Sequence, residues 1–492
     1  MREENRRSRR WLGAGLIVLA GCCYATGQES TAKTDPTLER IVGAVMTRGG
    51  AMAFLETLTD TIGGRVTGSP ESRATSELIL KNLKDAGYDN AHIEEYPLAS
   101  RWQRGPASGS VVSPVRQPIL VGTYGWSPGT HGRVEVPLAS SGVSVDGKLL
   151  LDASKLRGAA VLVDLTSGTD LSFAPNYVVR RSSVAHQLAA AGAVAMLIQS
   201  EKPDRMLYTS AAGIYPRAPL PLLSIGKEDA IFLLRLRKKG DVKIALDVQN
   251  TFDLPPVNER NIIADLPGSS PDQVVLLGAH FDSWDPAQGA KDNGTGVAQV
   301  LEIARVLKSL GIKPKATIRF AFFSGEEQAC LGSRAYIDGH KDEVDHLRAV
   351  LITDDGAQKP TGFLLHGRTD LEAAAKNLLT PLLSPMGAGT INSAGDLSSD
   401  DQSFVVVGVP TLSLDVEQGD YDNQHHTIID TLDKVDPPTL AMDTAVLAVA
   451  AYTLANADQP LGRRWTPKEV TELLKKTGQA EYVELDYGPR DK

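Results

Sequence analysis

From residue 261 onward, short runs of strand-forming residues alternate with helical segments, and three of those runs end close to a side chain able to hold a metal ion. Val274-Val275-Leu276-Leu277 has no polar member, the pattern of a strand buried on both faces of a parallel sheet. Residues 317–323, 349–352 and 409–414 are the other candidate strands. Between the first two, residues 296–310 set Val297, Val300, Leu301, Ala304 and Leu307 on one helical face. This alternation predicts an α/β fold with a doubly wound, mixed, mostly parallel sheet. Ligands of such sheets collect beyond the carboxyl ends of the strands. His280 follows the first run, Glu326 and Glu327 the second, and Asp354 the third. Asp292 stands just before the helix, and His425-His426 come after the fourth run.

Two imidazoles, three carboxylates and one spare glutamate suffice for a two-metal hydrolase. Four carboxylates converging without cations would repel one another, and some would have to protonate. Two Zn²⁺ supply four positive charges, against which Asp292, Glu327 and Asp354 set three negative ones. One imidazole and two carboxylates per ion suit Zn²⁺, with Co²⁺ or Mn²⁺ as alternatives. A shared carboxylate would hold the ions about 3.5–4 Å apart. Each piece alone is weak, since His-x-Asp, Glu-Glu and His-His all occur by chance. Their order and their placement after strands carry the reading.

The rest of the chain bounds this picture. At 492 residues it predicts two or three domains, and 42% hydrophobic with 23% charged residues describes a globular protein. A formal net charge of −9 argues against nucleic acid as a partner. Residues 1–22 read as a signal peptide: Arg6, Arg7, Arg9 and Arg10 precede an apolar run from Trp11 to Ala20. That run is about half the roughly 20 residues a membrane span needs. It ends in Leu19-Ala20-Gly21-Cys22, which resembles a bacterial lipobox. The expectation is an exported bacterial protein of the periplasm or cell envelope, touching membrane only through a lipid on Cys22. Residues 23–36 read as a linker, 37–104 and 256–458 as the main domain, and 459–492 as a C-terminal extension with a helix at 467–476. Residues 105–255 change character, with short β-like runs at 119–121, 132–136 and 159–163, a helix at 183–191 and a strand at 193–198. They form an inserted β-rich module without ligand clusters. Cys330 has no disulfide framework around it and reads as a small buried residue. His92, His131, His186, His340, His346 and His366 read as structural or exposed, and Asp285 and Asp430 as supporting groups near the site.

The motifs resemble those of the zinc exopeptidase family that holds the bizinc aminopeptidases and carboxypeptidase Q. His280-Phe281-Asp282-Ser283-Trp284-Asp285, with Gln288-Gly289-Ala290 ahead of Asp292, is especially similar to carboxypeptidase Q. Gly63-Gly64-Arg65-Val66-Thr67-Gly68-Ser69-Pro70 is similar to the family's N-terminal signature. The inserted module resembles a protease-associated domain, with Ala190-Ala191-Gly192-Ala193 in its helix–strand turn. The resemblance implies that Asp292 bridges two ions, that His280 and Asp354 complete one site, and that Glu327 and His426 complete the other. It implies a bridging hydroxide as nucleophile, Glu326 as general base and Asp282 as the holder of His280. His425 stands where many relatives carry Tyr, so it either donates a hydrogen bond to the tetrahedral intermediate or positions His426. Ser399-Asp400-Asp401-Gln402-Ser403-Phe404 resembles a family motif with His in place of Asp401, which puts Asp400 at the pocket. The implied activity is that of an aminopeptidase or dipeptidase acting on short peptides, and a homodimer is implied too. A glutaminyl-cyclase-like aminoacyl cyclotransferase and a non-catalytic, receptor-like binding protein are the alternatives; the full ligand set argues against both.

Overall fold

The computed structural model describes residues 35–487 except 145–147, 165–173, 214–216 and 253. The expected signal peptide, its lipobox and nearly all of the expected linker lie outside the described residues. The main sheet has eight strands: β1 (His92–Pro97), β2 (Asn258–Leu266), β3 (Ser270–His280), β4 (Ala316–Phe323), β5 (Leu347–Ile352), β6 (Pro360–Leu364), β7 (Thr390–Asn392) and β8 (Thr411–Val416). Their spatial order is β1-β2-β4-β3-β5-β8-β6-β7. The central pairs β4/β3, β3/β5 and β5/β8 are parallel, as is β6/β7. The pairs β1/β2, β2/β4 and β8/β6 are antiparallel.

The four strands expected from sequence are the four parallel ones at the centre. β3 shows why they were legible. Val275, Leu277 and Ala279 enter the core beneath helices Thr295–Ser309 and Pro437–Asn456, while Val274 and Leu276 enter the core on the opposite face with Tyr336, Ile337 and Phe404. A strand covered on both sides needs no polar face. Truncating Leu277 to Ala there should cost about 2–5 kcal/mol. β2 hides its nature because its first half is polar yet buried. The Glu259 carboxylate accepts from the Gly68 amide and the Ser72 hydroxyl, and Arg260 pairs with Glu95 at 3.2 Å. Helix Pro437–Asn456 is long and apolar enough to cross a membrane, but most of it is buried in the main core.

A second eight-stranded sheet is built wholly from residues 107–248. Its order is Gln117–Ile119, Ala107–Ser113, Lys243–Val248, Val134–Gly142, Ala160–Asp164, Ala195–Gln199, Leu222–Ile225 and Val121–Thr123. Helices Ala174–Ala190 and Lys227–Arg237 cover its faces, packing Val184 and Leu188 on Val161 and Met196, and Leu233 on Leu162 and Leu197. The expected strand at 119–121 is in fact a break between two strands, with Leu120 exposed at the crossing. The expected run at 132–136 starts at Val134 and continues to Gly142. The chain enters and leaves this module side by side, where Gln103 and Thr251 exchange backbone hydrogen bonds of 2.9 and 3.0 Å.

The C-terminal extension packs against the main domain. Thr466 and Glu469 form a capping box on helix Pro467–Lys476, and helix Ala480–Tyr487 follows. Val470, Leu473, Leu474 and Val483 cover Leu397, Val405 and Val406.

Candidate metal centre

β4, β3 and β5 are neighbours and parallel, so their carboxyl ends open on one edge. His280 is the last residue of β3 and pairs in register with Phe323 at the end of β4, while Gly278 pairs with Ile352 at the end of β5. Beyond Phe323 the chain turns through Gly325 at φ +74°, where a Cβ would lie 2.8 Å from the Tyr96 hydroxyl. Glycine thus lets the following Glu326-Glu327 pair swing back over β3.

The expected ligands meet there. His280 Nε2 lies 3.5 Å from Asp292 Oδ1 and 3.3 Å from Asp354 Oδ1. On the other side, His426 Nε2 lies 3.1 Å from Asp292 Oδ2 and 3.2 Å from Glu327 Oε2. Oδ1 of Asp292 therefore faces His280, while Oδ2 faces His426 and also lies 3.5 Å from His425 Nε2. Glu326 Oε2 is 4.0 Å from His280 Nε2 and makes no contact of that kind with His426 among the described pairs.

Supporting groups fix this arrangement. The buried Arg65 guanidinium donates to the carbonyls of Phe281, Gly63, Gln288 and Gly289 at 2.7–2.9 Å, clamping both ends of the segment between His280 and Asp292. The Asp430 carboxylate accepts from the Lys291 and Asp292 amides at 2.7 and 3.2 Å. The Asp292–Asn293 peptide bond is cis, and the Asn293 side chain bonds the Thr353 carbonyl and the Gly296 amide. Asp282 does more than expected. Its backbone carbonyl accepts from His280 Nδ1 at 3.1 Å, and its carboxylate, 3.5 Å from the same nitrogen, also accepts from the Glu326 and Glu327 amides and the Thr67 hydroxyl. Asp355, the residue after Asp354, is turned inward onto Thr353 and the Ala357 amide.

The buried carboxyls and imidazoles perturb one another. Burial pushes the Glu326 carboxyl well above its ordinary range and Glu327 up to about 7. Burial also acts to raise Asp292, but His426, His425 and His280 outweigh it and hold this carboxyl low. The surrounding carboxylates in turn raise His280 and His426 against the effect of their own burial. His280 Nε2, Glu327 Oε1 and Asp354 Oδ1 are buried and have no hydrogen-bond partner. Orphaned polar atoms of that kind cost about 1–3 kcal/mol each unless a ligand satisfies them. Imidazole and carboxylate donors converging from two sides of one carboxylate fit a pair of borderline divalent ions such as Zn²⁺. His280 and Asp354 with one Asp292 oxygen would hold the first, and His426 and Glu327 with the other oxygen the second.

The model of peptidase family M28 matches residues 261–451. Carboxypeptidase Q of Mus musculus is 30% identical over 416 residues, spanning 82% of this chain and 86% of that protein. The chain belongs to peptidase family M28, and the protein is accordingly a metallo-exopeptidase. The probable lipoprotein aminopeptidase LpqL of Mycobacterium tuberculosis is 25% identical over 481 residues, spanning 88% of this chain and 91% of that protein. Among solved structures, a peptidase M28 precursor from Shewanella amazonensis has a TM-score of 0.78 and 27% identity, covering 88% of this chain and 98% of that one.

One residue of this M28 chain departs from the sequence reading, and two others add to it. Asp400 does not face the cavity: it is fully buried behind the site, accepting from the Ser333 hydroxyl, and burial raises its carboxyl to about 7. Its neighbour Asp401 lines the cavity instead. Helix Asp401–Val405 starts immediately after Asp400, so successive side chains there point to different sides. His366 takes the structural one of its two expected roles, buried in the cavity wall between the Asp396 carbonyl and the Ser413 hydroxyl. Cys330 is buried as expected, but its Sγ lies 3.8 Å from Glu326 Oε1 and accepts from Gln402. The cavity has a volume of about 410 Å³, and its walls include Tyr208 and Ser210 of the inserted module and Tyr482 of the C-terminal extension. Neither part of the chain carries ligand-type spacing, so nothing in the sequence marked them.

Proposed function

We propose that this protein is an exported two-zinc exopeptidase that removes residues from the free N-termini of short peptides, as an aminopeptidase or dipeptidase. The observation that carries the reading is Asp292, whose two oxygens lie 3.5 and 3.1 Å from two different imidazoles, each with its own further carboxylate. Two zinc ions bound there would polarise the scissile carbonyl and lower the pKa of the attacking water. Glu326 stays free of that ligand set and projects from the same edge. Its Oε2 takes the proton of the attacking water and returns it to the leaving amine, a task suited by a carboxyl whose proton affinity burial has raised. His425 stacks on His426 with 3.7 Å between ring centres and lines the cavity. From there it steadies His426 and donates a hydrogen bond to the developing oxyanion.

Two observations support short peptides with a free amine. The cavity is of small-ligand size and is walled by parts of three regions of the chain. Among the described residues lining it there is no Lys or Arg to receive a substrate carboxylate, whereas acidic side chains outside the ligand set, Asp415 and Asp422, line it where a cationic amine would enter. Export rests on the basic and apolar N-terminus with Cys22, and the lipoprotein name of the mycobacterial relative agrees with it. The test is metal content of the purified protein beside hydrolysis of dipeptides and aminoacyl anilides. Two zinc ions per chain with chelator-sensitive release of N-terminal residues is the expected result. One ion, with cyclisation of N-terminal glutamine instead of hydrolysis, would move the assignment to an aminoacyl cyclotransferase.

A further inference from the structure

The two imidazoles of the metal centre are held in different ways. His280 sits at the end of β3, and its Nδ1 bonds the carbonyl of Asp282 and neighbours the Asp282 carboxylate, both within the main domain. His426 lies on a loop and adopts φ +60°, a left-handed conformation that costs a non-glycine residue about 1–2 kcal/mol unless its surroundings enforce it. His425 stacks on its ring and Trp284 meets it edge-on, and its hydrogen bonds across to another region go to the inserted module. The Thr209 amide donates to the His426 carbonyl at 2.9 Å, and the Tyr208 hydroxyl lies 3.2 Å from His426 Nδ1. Lys202 reaches the carbonyl of Asp422 on the same ligand loop. Tyr208 is itself braced by the module: its ring meets Tyr124 edge-on at 6.2 Å, and the Arg181 guanidinium lies 4.7 Å from the Tyr124 ring.

We propose that the inserted module is a working part of the metal centre, with Tyr208 as a positioning residue that orients His426 for the second metal ion. The inference rests on the two-metal reading above. His426 turns Nε2 toward Asp292 and Glu327, so a neutral ring free to ligate through Nε2 carries its proton on Nδ1 and donates it to the Tyr208 oxygen. An outer partner of this kind fixes the tautomer and the ring plane of a metal-ligating histidine. A phenol oxygen is a neutral acceptor, whereas Nδ1 of His280 also lies beside the Asp282 carboxylate, and charged partners make the stronger hydrogen bonds. The two metal positions are therefore unequal. The His280–Asp354 position binds more tightly and is independent of the module; the His426–Glu327 position binds more weakly and depends on it.

The experiment is a titration of the metal-stripped full chain with Zn²⁺ against a competing chelator, comparing the wild type with Tyr208→Phe. The wild type should bind two ions with distinguishable affinities. Tyr208→Phe keeps the ring but removes the hydroxyl, and it should weaken the lower-affinity ion about 10- to 100-fold while leaving the tighter one unchanged. Turnover should fall at limiting zinc and recover when zinc is raised, with the melting temperature of the stripped protein unaltered. If Tyr208→Phe is poorly folded, Lys202→Met, which releases the module from Asp422 without touching His426, should show a smaller loss confined to the same ion. Two ions with unchanged affinities in a folded Tyr208→Phe protein would overturn the positioning role and leave the two-metal reading intact. A wild type that binds one ion or none would overturn the two-metal reading itself.

Discussion

The His280 half of the proposed metal centre and the His426 half offer the same kinds of ligand but are built by different means. In the first, the ligand ends a buried parallel strand, and the hydrogen bonds of the sheet fix its place to within a residue. In the second, the candidate ligand lies on a loop after β8, in a left-handed backbone conformation, and is held by residues more than two hundred positions earlier in the chain. The lesson is that one metal centre can draw one half of its order from sheet topology and the other half from contact with a separate module.

The comparison can be broken most severely at the residue the two halves share. Asp292→Ala should empty both positions and reduce turnover to background; normal metal content in that variant, by elemental analysis, would remove the bridging role. Glu326→Gln should lower kcat by about 10²- to 10⁴-fold while both ions remain, because it removes a proton carrier and no ligand. Retained turnover in that variant would reassign the base. His280→Ala and His426→Ala should each lose one ion, and the two remaining single-ion proteins should differ, with the His426→Ala protein holding its ion more tightly. Zinc removal should lower the melting temperature, and restoring zinc should raise it in proportion to the logarithm of its concentration.

The smallest effect on activity concerns a residue outside both halves. Burial depresses His366 to about 4, so its neutral form is the one the fold accommodates. Between pH 6.5 and 4 the unfolded chain binds a proton there that the folded chain refuses, and stability falls as pH drops through that window. The loss approaches about 3 kcal/mol at pH 4. His366→Gln should flatten that acid limb in urea unfolding while barely moving kcat; an unchanged limb would show that His366 is not the group responsible.

The same contrast explains what was legible in the sequence. β3, β4, β5 and β8 were readable because strands covered on both faces leave apolar runs, and His280, Glu326, Glu327 and Asp354 were readable because they follow those runs. β2 was obscured by polar side chains that are buried with partners, and β7 by its three-residue length. Tyr208 could not be found, since a single tyrosine in a segment without ligand spacing has no local signature. The motif around Asp400 and Asp401 places the pair near the site but does not say which member the following helix turns toward the cavity.

The pairing of Gln103 with Thr251 has a consequence for how the molecule is assembled. Because the two crossings lie together, the whole module closes like a short turn, and its length adds little loop entropy to the main domain. In the order of synthesis, however, helices 36–85 and β1 emerge before the module, while every metal ligand emerges after it. The early helices must wait, unpartnered, through the synthesis of a complete second sheet before β3 and β4 exist to receive them. Metal uptake at the proposed centre would thus come at the end of biogenesis, and a defect in the module would appear first as peptidase that accumulates with less bound metal.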